Sequence, residues 1–271
     1  MELIAASRIA KAQHAIIGAK PYIASMGNLL EGLAKNFEAR RHPIFAQSEH
    51  VEGVAVIVVS ADRGLCGAYN SNVLRAGERL VKEHLEADRI CKVVAVGKKA
   101  LGYFRYRGYE MDRTFLGITD QPKYPDAKAI ADQVALLMEQ PEINLVQIVY
   151  TQFVSLGTQK VVIEQIYPVV ANDQVIDEDS PAGLRYRDYE FEPDSDVLID
   201  YLVPRVLETK IFGSLLNASA SEHASRQRAM KAATDNADEF AKNLTRQMNR
   251  ARQDSITTEI MEIVGGAEAL G

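Results

Sequence analysis

From Ser214 to Val264 the chain runs 51 residues without a glycine or a proline, bracketed by Gly213 and the pair Gly265-Gly266. At 1.5 Å per residue, a single helix of that length measures about 75 Å, more than a compact domain is wide. Most of it must leave the globular body. Its small and apolar positions, Met230, Thr234 or Ala233, Ala237, Ala241, Leu244, Met248, Ala251 and Ser255, step by three and four. That is the spacing of a packing seam, and small side chains in it let a neighbouring helix come close. At the other end of the chain Ile9, Ala12, Ile16, Ala19, Ile23, Met26, Leu30, Leu33 and Phe37 keep the same rhythm, the mark of an amphipathic helix. Pro21 lies off this seam, where it removes one helical hydrogen bond and is expected to bend the helix near Lys20. Each seam is the natural partner of the other, which predicts an antiparallel coiled coil of the two terminal helices. Separate packing of each terminus on one globular core is the alternative left open by pattern alone.

Between the ends, Gly53 to Ser60, Cys91 to Val96 and Leu145 to Tyr150 are short β-branched runs bounded by turn residues, as buried strands are. Helical patterns over Ser71 to Leu85, Lys98 to Arg107 and Asp126 to Gln140 separate them. The alternation gives βαβ units and hence a Rossmann-like, mostly parallel sheet flanked by helices. Val161 to Tyr167 alternates and reads as an edge strand. Residues 171 to 200 carry ten acidic residues against Arg185 and Arg187 and read as an irregular surface return into the last helix. The division expected is an N-terminal coiled-coil helix over 1–45, a central α/β domain over 50–192 and a long C-terminal coiled-coil helix over 194–271.

Chemistry is sparse. The loop after the first strand, Ser60 to Asn70, contains Gly64 and Gly67 but neither G-x-G-x-x-G nor G-x-x-x-x-G-K-[ST]. It therefore supplies neither a close backbone approach to a pyrophosphate nor a phosphate-binding lysine. The glycines read as a tight βα turn, with Asp62 and Arg63 as surface or local hydrogen-bonding groups. Cys66 has no histidine near it in sequence to act as a base, and with Cys91 it reads as a buried thiol in a reducing compartment. His14, His42, His50, His84 and His223 are scattered, with no metal-ligand spacing. No catalytic residue, cofactor site or metal site is expected. The net charge of −6 gives no chain-wide attraction to nucleic acid or an anionic membrane. No apolar run approaches a membrane span, and the opening Met1-Glu2-Leu3-Ile4 lacks a signal-peptide layout.

The stretch from Ser219 through Glu222, His223, Arg226, Lys231 and Asp235 to Ala237 closely resembles the C-terminal helix of ATP synthase gamma subunits. Ile256-Thr257-Thr258-Glu259, Glu262 and Gly265-Gly266-Ala267 resemble that family's C-terminal signature, and Asp62-Arg63-Gly64-Leu65-Cys66-Gly67 is similar to its central loop motif. The opening Met1 to Ser7 and the segment Arg205 to Phe212 fit as well, so the resemblance covers essentially the whole chain. Family members begin with a further basic helical segment ahead of the position of Met1. The C-terminal helix is accordingly expected to be partly unpaired. The cysteine-bearing insert of chloroplast relatives is missing from the sequence, so thiol control is not expected, and without a transit peptide the resemblance points to a bacterial chain.

The resemblance implies a non-catalytic rotor. The coiled coil enters a ring of alpha and beta subunits, the α/β domain sits on the epsilon subunit and the c-ring, and the chain meets the cytoplasmic face of the plasma membrane only through the complex. Between Arg226 and Arg252 seven basic residues face three acidic ones, and Lys242, Arg246 and Arg250 follow at i, i+4 spacing. By pattern alone this row is a solvated face. The resemblance implies instead that Lys242, Arg246 and Arg250, with Arg252, Gln253 and Thr257, face the alpha and beta ring. Two rivals stand beside this reading: a nucleotide-binding enzyme whose site lies at the carboxyl ends of the first two strands, and a coiled-coil adaptor unrelated to ATP synthesis.

Overall fold

A computed structural model describes residues 1–34, 45, 50–169 and 195–268. Helix α1 (Glu2–Ala34) leads into β1 (Gly53–Val59), α2 (Tyr69–Glu86), β2 (Ile90–Val96), α3 (Lys98–Tyr106) and β3 (Met111–Phe115). Helix α4 (Tyr124–Met138), β4 (Ile143–Phe153), β5 (Gln159–Tyr167) and the long α5 (Ser195–Glu268) complete the order. The sheet order is β3-β2-β1-β4-β5, parallel throughout except for the antiparallel edge pair β4 and β5.

The central strand explains the layering. Every residue of β1 is buried, and Ile57 sits between Val94 of β2 and Ile148 of β4. Because successive strand residues point to opposite faces, Ala55, Ile57 and Val59 enter the core shared with α4 and α5. Val54, Val56 and Val58 enter the core under α2 and α3. Each such fully buried Val or Ile contributes about 1.5–3 kcal/mol of transfer free energy. Helix α2 turns Val73, Gly77, Leu80, Val81 and His84 inward at helical spacing. At the start of helix α4 Lys123 N donates to Asp126 Oδ2 at 2.8 Å. Its Tyr124 hydroxyl donates to the buried Glu208 of α5.

Two elements depart from the sequence reading. Strand β3 was not anticipated, because Met111–Phe115 is an edge strand with Asp112 and Arg113 exposed and so lacks a continuous apolar run. Helix α5 starts earlier than the glycine-free span, running through Pro204 and Gly213 and on past Gly265-Gly266. Residues 195–200, read as part of a surface return, belong to it, while 170–194 lie outside the described residues. Gly213 does not end the helix because it serves a helix crossing. A Cβ there would lie 3.0 Å from Ile23 Cδ1 of α1, so the missing side chain is what lets the helices approach.

The terminal helices pair antiparallel, with Ile23 against Gly213 and Arg8 beside the Asp120–His223 corner. The α1 seam is as read: Ile9 and Met26 are buried, and Ala12, Ile16, Ala19 and Ile23 are half-buried. Helix α1 runs on through Pro21, which is exposed; Leu30, Leu33 and Phe37 fall outside the described side chains. The partner seam differs. Helix α1 packs on the part of α5 that is already embedded in the sheet layer, not on Met230 to Ser255, and every position from 231 to 267 is exposed. The reason is register: with Arg8 of α1 beside the corner that holds His223, residues 1–7 reach only about two turns further along α5.

Candidate functional site

The fold concentrates its buried polar groups where the loop after β1 meets α5. Ser60 is fully buried, its hydroxyl donating to Val96 O at 3.1 Å and accepting from Ala100 N at 2.8 Å. Asp62 comes next, accepting from Lys98 N at 3.0 Å, from Thr119 N at 3.3 Å and from the Thr119 hydroxyl at 3.0 Å. Burial pushes its carboxyl up, but these donors and the Gly117 backbone outweigh that and hold it below the usual carboxylate value. The carboxylate thus sits at the uncapped start of α3, where the helix dipole favours negative charge. Arg63 is exposed and contributes its carbonyl to Asn70 Nδ2. Gly67 adopts φ +56, so here a glycine is favoured by conformation, while a Cβ would meet Ser225 Oγ of α5 at an ordinary contact distance of 3.5 Å.

Helix α5 answers with a row of short polar side chains. The Ser225 hydroxyl donates to Cys66 O at 2.7 Å, the Ser221 hydroxyl to Thr151 O at 3.0 Å, and Asn217 Oδ1 accepts from Phe153 N. Arg226 reaches Gly64 O with Nε and Nη2 at 3.4 and 3.3 Å and holds Glu222 Oε1 at 2.5 Å. Its Nη1 donates to His223 Nδ1 at 3.4 Å, so the His223 proton sits on Nε2 and is given to Asp120 O at 3.0 Å. Burial lowers the pKa of His223, favouring its neutral form. The Ser219 hydroxyl also donates to Asp120 O, and Arg8 of α1 pairs with both oxygens of the Asp120 carboxylate. One corner therefore ties α1, α5 and the turn before α4 together.

Ligand atoms of Asp120, Glu222 and His223 lie within 4.8 Å of one another, close enough to suggest a cation. The charges argue otherwise, since Arg8 and Arg226 already balance the two carboxylates and His223 Nε2 is committed as a donor. Cys66 is buried, and burial, with Glu222 beside it, pushes its thiol up. That is the opposite of what a nucleophile needs.

In open α/β sheets, ligands bind where the strand order reverses, outside the carboxyl ends of the strands. Here that point lies between β1 and β4, and the Ser221 to Arg226 stretch of α5 fills it through the bonds to Thr151, Cys66 and Gly64. At β1 and β2 the carboxyl ends are closed by the Ser60 bonds, with Ser60 O only 2.5 Å from a Cβ on Gly97. The crevice that the enzyme rival requires is occupied by the chain's own helix.

The second region is the free end of α5. Lys242, Arg246, Arg250, Arg252, Gln253 and Thr257 are all exposed. Among the described residues, Lys242, Arg246 and Arg250 have no ion pair, even with Asp238 and Asp254 one turn beyond the row. The Thr257 hydroxyl turns back to Gln253 O at 2.9 Å. Alongside the charges stand Phe240, 65% exposed, and Leu244, Met248, Ile256, Ile260 and Val264, also exposed. These side chains are more numerous than the singly scattered apolar residues of an ordinary solvated surface. The residues that sequence reasoning passed over are Glu222, Arg226 and Asp120. The readable signal was an i, i+4 Glu/Arg pair inside a run of small residues from Ser219 to Ser225, where a charge has to be buried.

A family model described as ATP synthase matches residues 1–270. The ATP synthase gamma chain of Mycolicibacterium vanbaalenii is 44% identical over 283 residues, covering 99% of this chain and 91% of that one. The ATP synthase gamma chain of a Parafrankia species is 41% identical over 274 residues, covering 100% and 91%. The fold is similar to that of a chain in the Tetrahymena thermophila mitochondrial ATP synthase central stalk and c-ring structure, with TM-score 0.67 at 21% identity over 86% of this chain and 97% of that one. A chain of the Euglena gracilis mitochondrial ATP synthase gives TM-score 0.60 at 19% identity over 98% and 95%. With matches that run the length of its sequence and a pair of terminal helices standing on a five-stranded sheet, the chain belongs to the ATP synthase gamma-chain family.

Proposed function

We infer that this chain is the central-stalk rotor subunit of a bacterial F-type ATP synthase, transmitting c-ring rotation to the catalytic sites of the beta subunits without being a catalyst itself. The observation that carries the reading is the free end of α5, where positions 231–267 are all exposed and combine an apolar stripe with a basic row. Family membership supplies the partners: alpha and beta around the rod, epsilon and the c-ring at the α/β end. One asymmetric rod facing three equivalent beta sites must stabilise a different conformation at each, and turning it passes those conformations round the ring.

On this reading Lys242, Arg246, Arg250, Arg252, Gln253 and Thr257 face the alpha and beta ring. Contacts that are remade at every step suit solvent-screened pairs worth about 0–1 kcal/mol each. Asp62, Arg63, Gly64 and Gly67 form the loop that seats the rod in the α/β domain, and the functional division is rod over 1–45 and 194–271, body over 50–192. Among the described residues no helix is long and apolar enough to cross a membrane, which fits a subunit held peripherally at the cytoplasmic face of the plasma membrane by its complex. The test is to mix the purified chain with alpha and beta subunits. Co-purification with restored ATP hydrolysis is expected, while equilibrium dialysis of the chain alone should show no saturable nucleotide binding. Failure to join the ring, or nucleotide binding by the chain alone, overturns the reading.

A further inference from the structure

The body holds α5 through the packing of Leu207, Ile211, Leu215 and Ala218, through Ser221 on Thr151 O and through Arg228 on Gly157 O, and to these the loop after β1 adds only a few bonds at the point where the rod leaves the body. The loop after β1 is held to α5 by Ser225 on Cys66 O and by Arg226 on Gly64 O. The Arg226 bonds are long, so the direction of the guanidinium decides whether they form. That direction is set by Glu222 Oε1 at 2.5 Å and by His223 Nδ1 at 3.4 Å. Glu222 is 1% exposed, and its second oxygen, Oε2, has no partner. We propose that Glu222 and Arg226 form a proton-sensitive latch: with Glu222 ionised, Arg226 is aimed at Gly64 and the rod is locked to the body, and a proton on Glu222 slackens the joint.

The inference rests on the rotor reading for its use and on the geometry for its existence. A buried ion pair contributes little to stability yet fixes one arrangement, because its charge-assisted bonds tolerate few others. Protonating the carboxyl removes the ionic attraction between the two side chains, leaving Arg226 a single-charge hydrogen bond to a neutral acceptor and freer to turn away. The bare Oε2 is the atom that accepts the proton. The groups facing Glu222 are Arg226 and His223 on α5, Asp120 on the turn before α4, Asp62 and Cys66 on the loop, and Tyr69 at the start of α2. Arg8 of α1 sits behind Asp120. Burial raises the Glu222 carboxyl to about 7, with Arg226 opposing and Asp120 and Asp62 adding to the rise, so the latch works within the range of cytoplasmic pH. His223 Nδ1 helps aim Arg226, and burial lowers its pKa, which favours the neutral ring. Glu222 and Arg226 are positioning residues: they act through the Gly64 carbonyl.

Spin labels on the isolated chain test the joint without any assembly. One label replaces the exposed Arg79 on α2 and the other the exposed Asp235 on α5, and the distance distribution is read at pH 8 and pH 6. The wild type should give a narrow distribution at pH 8 and a broad one at pH 6, and the isosteric Glu222→Gln variant a broad one at both. Arg226→Lys, which keeps the charge but loses the fork, should match Glu222→Gln. In the reconstituted enzyme, ATP synthesis by Glu222→Gln relative to wild type should be reduced at pH 8 and should approach wild type at pH 6. Distributions that ignore both pH and substitution overturn the latch, as does a variant-to-wild-type ratio that is flat with pH. A wild-type chain that never joins the ring refutes the rotor reading instead and leaves the distance result standing.

Discussion

The two halves of α5 are one helix with two sources of order. From Val206 to Arg226 it buries Leu207, Ile211, Leu215 and Ala218 in the core beneath the sheet and carries Glu208, Glu222 and His223 inside the protein. From 231 to 267 every position is exposed. The lower half is helical because tertiary packing leaves it no choice. The upper half is helical because from 231 to 264 it lacks glycine and proline and is rich in Ala, Lys, Arg, Gln and Glu, which favour helix. The same secondary structure therefore stands for an anchor at one end and an exposed rod at the other.

Matched truncations should separate the halves most strongly. Ile211→Ala removes a fully buried side chain and should cost about 2–5 kcal/mol in denaturant unfolding of the isolated chain. Leu244→Ala, at a position 48% exposed, should fall within about 0.5 kcal/mol of wild type. Equal losses at the two sites would mean that the upper half is packed on something within the chain.

The buried charge in the lower half gives a pH signature. Because the folded-state pKa of Glu222 is raised, from the ordinary 4.5 to about 7, the native state holds a proton that the unfolded chain releases. Stability attributable to this group is therefore fully present below about pH 4.5 and falls as pH rises towards 7. At 1.36 kcal/mol per unit the full effect is up to about 3 kcal/mol. Glu222→Gln should flatten that fall and leave the chain as stable as wild type or more so at pH 8, although the latch is lost. Asp62 has the opposite sign: its pKa is lowered, so its contribution holds above the ordinary 3.8 and disappears as pH drops through the lower folded value. Glu222→Gln melting with the same pH slope as wild type between 4.5 and 7 would remove the buried carboxyl from the account.

Much of this was legible in sequence, for identifiable reasons. Strand β1 and the α1 seam are dense apolar patterns whose period fixes both type and facing. The α1 seam was legible, but the partner surface and register were not, because α1 packs on α5 where Gly213 meets Ile23, a contact between residues 190 positions apart in sequence, and not on the Met230 to Ser255 seam, which is exposed beyond Met230. Strand β3 escaped because an edge strand need not be apolar. The joint was invisible as chemistry: Asp62, Gly64 and Gly67 stood out as a motif, but only the folded chain brings Arg226 onto Gly64 and Arg8 onto Asp120. The rotor role came from resemblance, since no local pattern distinguishes a solvated charge row from one that meets a partner.

The smallest effect is expected from charge reversal. Lys242, Arg246 and Arg250 repel one another by roughly 0.2–0.5 kcal/mol per pair in an isolated helix. Changing all three to Glu keeps the repulsion and should leave the isolated chain folded, with little change in melting temperature. In the assembled enzyme the same variant should weaken coupling and alter the salt dependence of turnover. A variant that synthesises ATP normally at every salt concentration would make the row a solvated face.

Hydrogen exchange along α5, measured in the chain alone and again in complex with alpha and beta subunits, tests the central claim most directly. In the free chain, amides from 231 to 264 should exchange faster than those from 206 to 226 by roughly two orders of magnitude or more, because only the lower segment is held by buried packing. On assembly the upper segment should become protected while the lower one stays as it was. An upper segment that exchanges equally fast with and without the ring would contradict the claim that this bare helix is the surface through which the subunit drives its partners.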